Sequence, residues 1–155
     1  MSTTDDQLEL QRQNFFGIPG VFVSGVVWLV AGFVCLFVSE SYAIAALFIG
    51  GMAIYPVAAM ICKYLPSLEP PSSKNPLNML GLESTALLFV GLFLAYIGRE
   101  KCPGYFFNTM LMVIGVRYLL FQTVYGIRIY WILGLSLSLF GLGLFVFQNS
   151  WSPMG

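Results

Sequence analysis

The sequence predicts an all-α protein, a polytopic transmembrane helix bundle with five spans. Three observations carry that prediction. Of 155 residues, 58% are hydrophobic and only 9% charged, with a mean hydropathy of +0.83, whereas a soluble domain carries about 25% charged residues. A chain this apolar lacks the polar groups to cover a water-facing surface, so its solvent is a lipid bilayer. The apolar residues fall into five stretches, each near the roughly 20 residues a helix needs to cross about 30 Å of hydrocarbon. Tyrosine and tryptophan, among them Tyr64, Tyr96, Tyr105, Tyr125, Tyr130 and Trp131, gather at the ends of those stretches, where amphipathic rings prefer the membrane interface.

Taken in order, residues 1–19 form a polar, interfacial N-terminal segment. It is read as disordered over 1–6 and as a short interfacial helix over 7–16, with Leu8, Arg12, Phe15 and Phe16 at helical intervals. It lacks the basic start of a signal peptide. Gly17-Ile18-Pro19-Gly20 redirects the chain. A single five-span domain then occupies 20–147, with spans at about 20–38, 42–64, 76–98, 105–125 and 129–147. Pro56 interrupts the second span. The 65–74 connector holds Pro66, Pro70 and Pro71 among serines and reads as irregular. Asn75-Pro76 is a helix start, because Asn caps and Pro fits the first helical position. Residues 126–128 leave room only for a tight turn, so the fourth and fifth spans are antiparallel neighbours. A short polar tail, 148–155, closes the chain.

Glycines recur every seven residues: Gly25 and Gly32, Gly91 and Gly98 (extended by Ser84), Gly134 and Gly141. Small residues at that spacing share one helix face and let a neighbour approach closely. Such faces allow a homo-oligomer or insertion into a larger membrane complex. With five spans, Arg12, Lys63, Lys74 and Arg128 fall on one side and Arg99 and Lys101 on the other. The positive-inside rule then places the N-terminus in the cytoplasm and the C-terminus outside, in an inner (plasma) membrane.

Several function classes are excluded. There is no histidine, hence neither the commonest general base nor the commonest metal ligand. Cys35, Cys62 and Cys102 show no metal or dithiol spacing. No Asp follows Asp6, which removes paired-aspartate proteolysis, and no nucleotide or hydrolase motif occurs. The seven basic residues balance seven acidic ones without the clustered basic face that nucleic acid needs. The chain is expected to be no enzyme, with no cofactor and no metal, its main partner being the bilayer itself.

One residue conflicts with its surroundings. Arg117 sits eight residues before Tyr125 in the fourth span, about 12 Å inside that edge at 1.5 Å per residue. A guanidinium stays charged at any biological pH, and in hydrocarbon it costs at least about 2.5–3.5 kcal/mol. Glu83, seven residues after Pro76, lies about 10 Å inside the same edge, so an intramembrane Glu83–Arg117 ion pair is expected. Ser24, Tyr55 and Gln122 fall in the same layer, and Pro56 frees the carbonyl of Met52 there. Together they suggest a polar pocket open to one side. Two other readings stay open: Arg117 snorkels to the headgroups, or the pair is purely structural.

Gly17-Ile18-Pro19 before the first span, and Asn75-Pro76-Leu77 with Leu80-Gly81 opening the third, resemble small bacterial multi-span membrane proteins of unknown function. The resemblance implies a membrane bundle and assigns no residue a role. Small multidrug exporters also combine Gly-rich helices with one membrane glutamate, but this sequence departs from them in span number and in carrying its glutamate on the third span. The observations point to small-molecule or lipid binding and transport through a one-sided site at Arg117 and Glu83. The alternative is an accessory subunit with no substrate of its own.

Overall fold

The apolar stretches of the sequence become helices. The computed structural model describes residues 3–64, 77–100 and 104–151. The 65–74 connector, the Asn75-Pro76 helix start, residues 101–103 of the charged turn and the end of the tail lie outside them. The described residues form α1 (Thr3–Gln13), a 3-10 turn (Phe15–Gly17), α2 (Ile18–Phe37), α3 (Glu40–Tyr64), α4 (Leu77–Gly98), α5 (Tyr105–Tyr125) and α6 (Ile129–Trp151), with no strand among them. Five helices, α2 to α6, are long and apolar enough to cross a membrane. By packing, the chain divides into two compact units, Met1–Ser72 and Ser73–Gly155.

In the first unit, α1 begins at Thr3, so Asp5 and Asp6 are helical where disorder was expected. Both acids lie in its first turn and Arg12 in its last, which complements the helix dipole. One face of α1, carrying Asp6, Leu10 and Gln13, is buried. The break after α1 is sharp. Phe15, Phe16 and Gly17 all hold positive φ, at 47°, 59° and 76°, a region that costs a non-glycine residue roughly 1–2 kcal/mol. Gly17 then caps α2, and Pro19 sits in its first turn, where its missing N–H breaks no helical bond.

Helices α2 and α3 form an antiparallel hairpin. The Ser39 N–H donates back to the Val34 carbonyl (3.1 Å) and the Ser39 carbonyl accepts from Ala43 N–H (3.1 Å), ending one helix and starting the next. Ala31 of α2 and Ala43, Ile44 and Leu47 of α3 are buried. Further along, Val27 fills the space that a side chain at Gly50 would need, 2.5 Å from a Cβ placed there. Pro56 does not interrupt α3, which runs unbroken to Tyr64.

In the second unit, α5 packs against both α4 and α6 and is the most buried of the five long helices. On α4 the buried positions Leu77, Ser84, Gly91, Ala95 and Gly98 make one stripe. Within it, Gly91 meets Val113 and Gly98 meets the Tyr105 ring. Between α5 and α6 the backbones themselves approach: a Cβ at Gly115 would lie 2.7 Å from the Gly134 carbonyl oxygen, and one at Gly134 would lie 2.7 Å from that of Gly115. The turn joining them is as short as the sequence requires. Gly126, at φ 67°, ends α5 and donates its N–H to the Gln122 carbonyl (2.6 Å), a left-handed cap that glycine adopts without strain. The polar tail was expected from residue 148, but α6 continues to Trp151, since nothing before Pro153 lacks a backbone N–H.

Candidate functional site

Arg117 lies two turns before the end of α5. Its side chain is half-buried, and its Nε is buried without a hydrogen-bond partner. One compensation is aromatic: Cζ stands 5.3 Å from the centroid of Phe121, one turn further on. Phe121 belongs to a cluster of four rings built by the α5–α6 hairpin. Its centroid is 5.8 Å from Tyr118, 5.8 Å from Tyr125 and 5.9 Å from Tyr130. Tyr118 and Tyr130 stack at 6.2 Å with 19° between planes, and both are buried, with 6% and 4% exposure. The three-residue turn makes this possible by bringing Tyr130, at the start of α6, beside the last two turns of α5.

Of the other expected site residues, Glu83 and Gln122 belong to the same unit as Arg117. Glu83 is exposed, and among the described residues no ion pair joins it to Arg117. The expected pair is therefore corrected, for two geometric reasons. Glu83 precedes the buried Ser84 by one residue, which turns it about 100° away from the stripe that meets α5. The contacts Gly91–Val113 and Gly98–Tyr105 also set an antiparallel register that puts Arg117 opposite Leu87, one turn (about 6 Å) from Glu83. Depth counted from Pro76 could not see that offset.

Gln122 is half-buried on α5, five residues from Arg117 and so about 140° round the helix. Ser24 and Tyr55 belong to the first unit. Ser24 is half-buried on α2, while Tyr55 is 83% exposed on α3, its ring turned away from its own hairpin. Among the described residues, no three His, Cys, Asp or Glu side chains are grouped as metal ligands. The aromatic cluster was missed in the sequence. Its signal is present there, as Tyr118, Phe121 and Tyr125 at helical spacing with Tyr130 just past a tight turn, beyond the interfacial preference of Tyr125 and Tyr130.

The energetics leave Arg117 short of compensation. A cation over an aromatic face gains roughly 0.5–2 kcal/mol, less than the cost of about 2.5–3.5 kcal/mol for the charge at mid-membrane. A permanent cation, with one donor sealed from water and lacking an acceptor, attracts an anion.

This architecture has a counterpart in sequence space. The chain belongs to a family of unknown function, DUF7010. The family's pattern matches residues 4–154, so it spans all six helices. No curated protein and no solved structure matches the chain.

Proposed function

We propose that this protein is a multi-pass inner-membrane protein that binds an anionic small molecule or lipid at Arg117 and serves its transport. The observation that carries the reading is the buried Arg117 Nε with no acceptor, set against the aromatic cluster of Tyr118, Phe121, Tyr125 and Tyr130. Glu83, exposed and not paired with Arg117 among the described residues, has no part in this reading. Positive charge at Arg12, Lys63, Lys74 and Arg128 puts the Tyr125 end of α5 at the cytoplasmic face, so the ligand enters from that side. A panel of anions tested by thermal shift in detergent, on wild type and Arg117→Gln, decides the matter. Stabilisation by at least one anion in wild type and its loss in the variant is the expected result. A full panel with no shift in wild type would discard the reading.

A second reading, an accessory subunit of a larger membrane complex, is favoured by one observation. Nothing lies within 4 Å of a Cβ placed at Gly25 or Gly32, and α2 exposes Phe22, Leu29 and Leu36 between and beside them. Under this reading Gly25→Leu with Gly32→Leu reduces the size of the assembly isolated in mild detergent. An unchanged size removes it.

A further inference from the structure

We propose that the ligand of Arg117 is an amphiphile, a phosphate or carboxylate head on a hydrocarbon chain, rather than a wholly hydrophilic anion; the inference rests on the anion-binding reading above. Two features of the second unit carry it.

The first is the shape of the unmet demand. Nε–H and the neighbouring Nη–H of a guanidinium form a side-on fork of parallel donors that matches an anion with two oxygens. Arg117 leaves the Nε member of that fork without an acceptor, with the Phe121 ring beside the guanidinium. Halide or other single-atom anions would leave half of that fork unused.

The second is the one-sidedness of the unit. From Arg117 toward the opposite end, α5 runs Val116, Gly115, Ile114, Val113, Met112, Leu111, Met110, about 10 Å without a polar side chain. No charged side chain occurs on the rest of α5 in that direction, on α4 beyond Glu83, or on α6. The hydroxyl of Ser136 is already used, donating to the Leu133 carbonyl (3.0 Å). A hydrophilic solute that moved on from Arg117 would meet no charge and only isolated polar side chains, Ser138 with its Oγ sealed in the α5–α6 seam and Thr109 and Asn108 two turns or more away. A head-and-tail molecule fits, because its oxyanion meets the guanidinium at about two-fifths of the membrane thickness. Its chain then lies along apolar surface such as Phe93, Leu94, Leu139 and Phe140, all exposed.

The test uses the full chain in a neutral detergent with three probes: dioctanoyl phosphatidic acid, dioctanoyl phosphatidylcholine and inorganic phosphate. Phosphatidic acid should raise Tm by about 5 °C or more near a hundredfold excess over Kd. Phosphatidylcholine and inorganic phosphate should not, and Arg117→Gln should reduce the phosphatidic acid shift to the phosphatidylcholine level. If inorganic phosphate stabilises wild type as much as phosphatidic acid does, and Arg117→Gln abolishes both shifts, the amphiphile inference is overturned while anion binding stands. If neither probe shifts wild type, or the shift survives in Arg117→Gln, both fail. Should Arg117→Gln not fold, native mass spectrometry of wild type gives the answer: retention of phosphatidic acid above phosphatidylcholine supports the inference, and equal retention overturns it.

Discussion

Gly25 and Gly32 on α2 share their seven-residue spacing with Gly134 and Gly141 on α6, yet their surroundings are opposite. A Cβ at Gly134 would meet the Gly115 carbonyl and Leu119, and one at Gly141 would meet the Asn108 carbonyl and Met112, all within 3 Å. A Cβ at Gly25 or Gly32 would meet nothing within 4 Å. Helix α2 instead turns Val27 and Ala31 inward, with Val27 over Gly50 of α3 and Ala31 fully buried. Those residues lie roughly 100–160° round the helix from the glycines. A small-residue repeat therefore permits close approach without selecting the partner. On α6 a three-residue turn supplies α5 as the partner, and on α2 the hairpin to α3 uses the other face.

The largest effect should follow from filling the closed repeat. Gly134→Val drives a branched side chain into a backbone carbonyl and should cost about 3 kcal/mol or more, seen as a large fall in Tm or as loss of folded protein. A Tm within a few degrees of wild type would mean that α5 and α6 are not in backbone contact. Replacing the uncompensated charge acts in the opposite direction. Arg117→Leu should raise stability by about 1–3 kcal/mol while abolishing anion-dependent shifts, and a net loss of stability would show that Arg117 has a partner after all. Ser138 offers a smaller version of the same contrast within the α5–α6 seam. Its Oγ is buried without a partner against Gly115, so Ser138→Ala should gain about 1 kcal/mol, checked by Tm.

On the open repeat, Gly25→Ala should be neutral or gain up to about 1 kcal/mol from helix propensity alone. The same change at Gly134 should destabilise, and equal effects at both sites would erase the difference between the two helices. The smallest expected effect tests the lost ion pair. In a cycle of Glu83→Gln and Arg117→Gln, the stability changes should add to within about 0.5 kcal/mol. Coupling well above that would restore the pair.

Where hydropathy and backbone chemistry decide an element, the sequence was readable. The expected spans at 105–125 and 129–147 match α5 and the apolar part of α6, and those at 20–38 and 42–64 fall within two residues of α2 and α3. Those ends are set by Gly17, Ser39 and Gly126, residues whose local conformation is legible without a partner. Boundaries in polar sequence were less so: α1 starts before Gln7 and α6 continues past Phe147, because a helix there needs only the absence of a breaker. The candidate site was half legible. Arg117 was visible as a charge in an apolar stretch. Its neighbours were not, because they depend on which face of α4 meets α5 and at what register.

By itself the sequence determined that the chain is all-α, how many long apolar helices it has, where they turn, and that Arg117 is a cost those helices carry. These follow from composition, chain length and the conformational limits of glycine and proline, all of which act locally. Only the tertiary structure decided that Glu83 faces away from Arg117, that Phe121 and three tyrosines surround that end of α5, and that one glycine repeat is covered while another is open. Each of those depends on helix rotation and register. A slip of one residue turns a side chain by about 100°, and only the close packing of one helix on another, Gly115 against Gly134 above all, selects among the possible rotations.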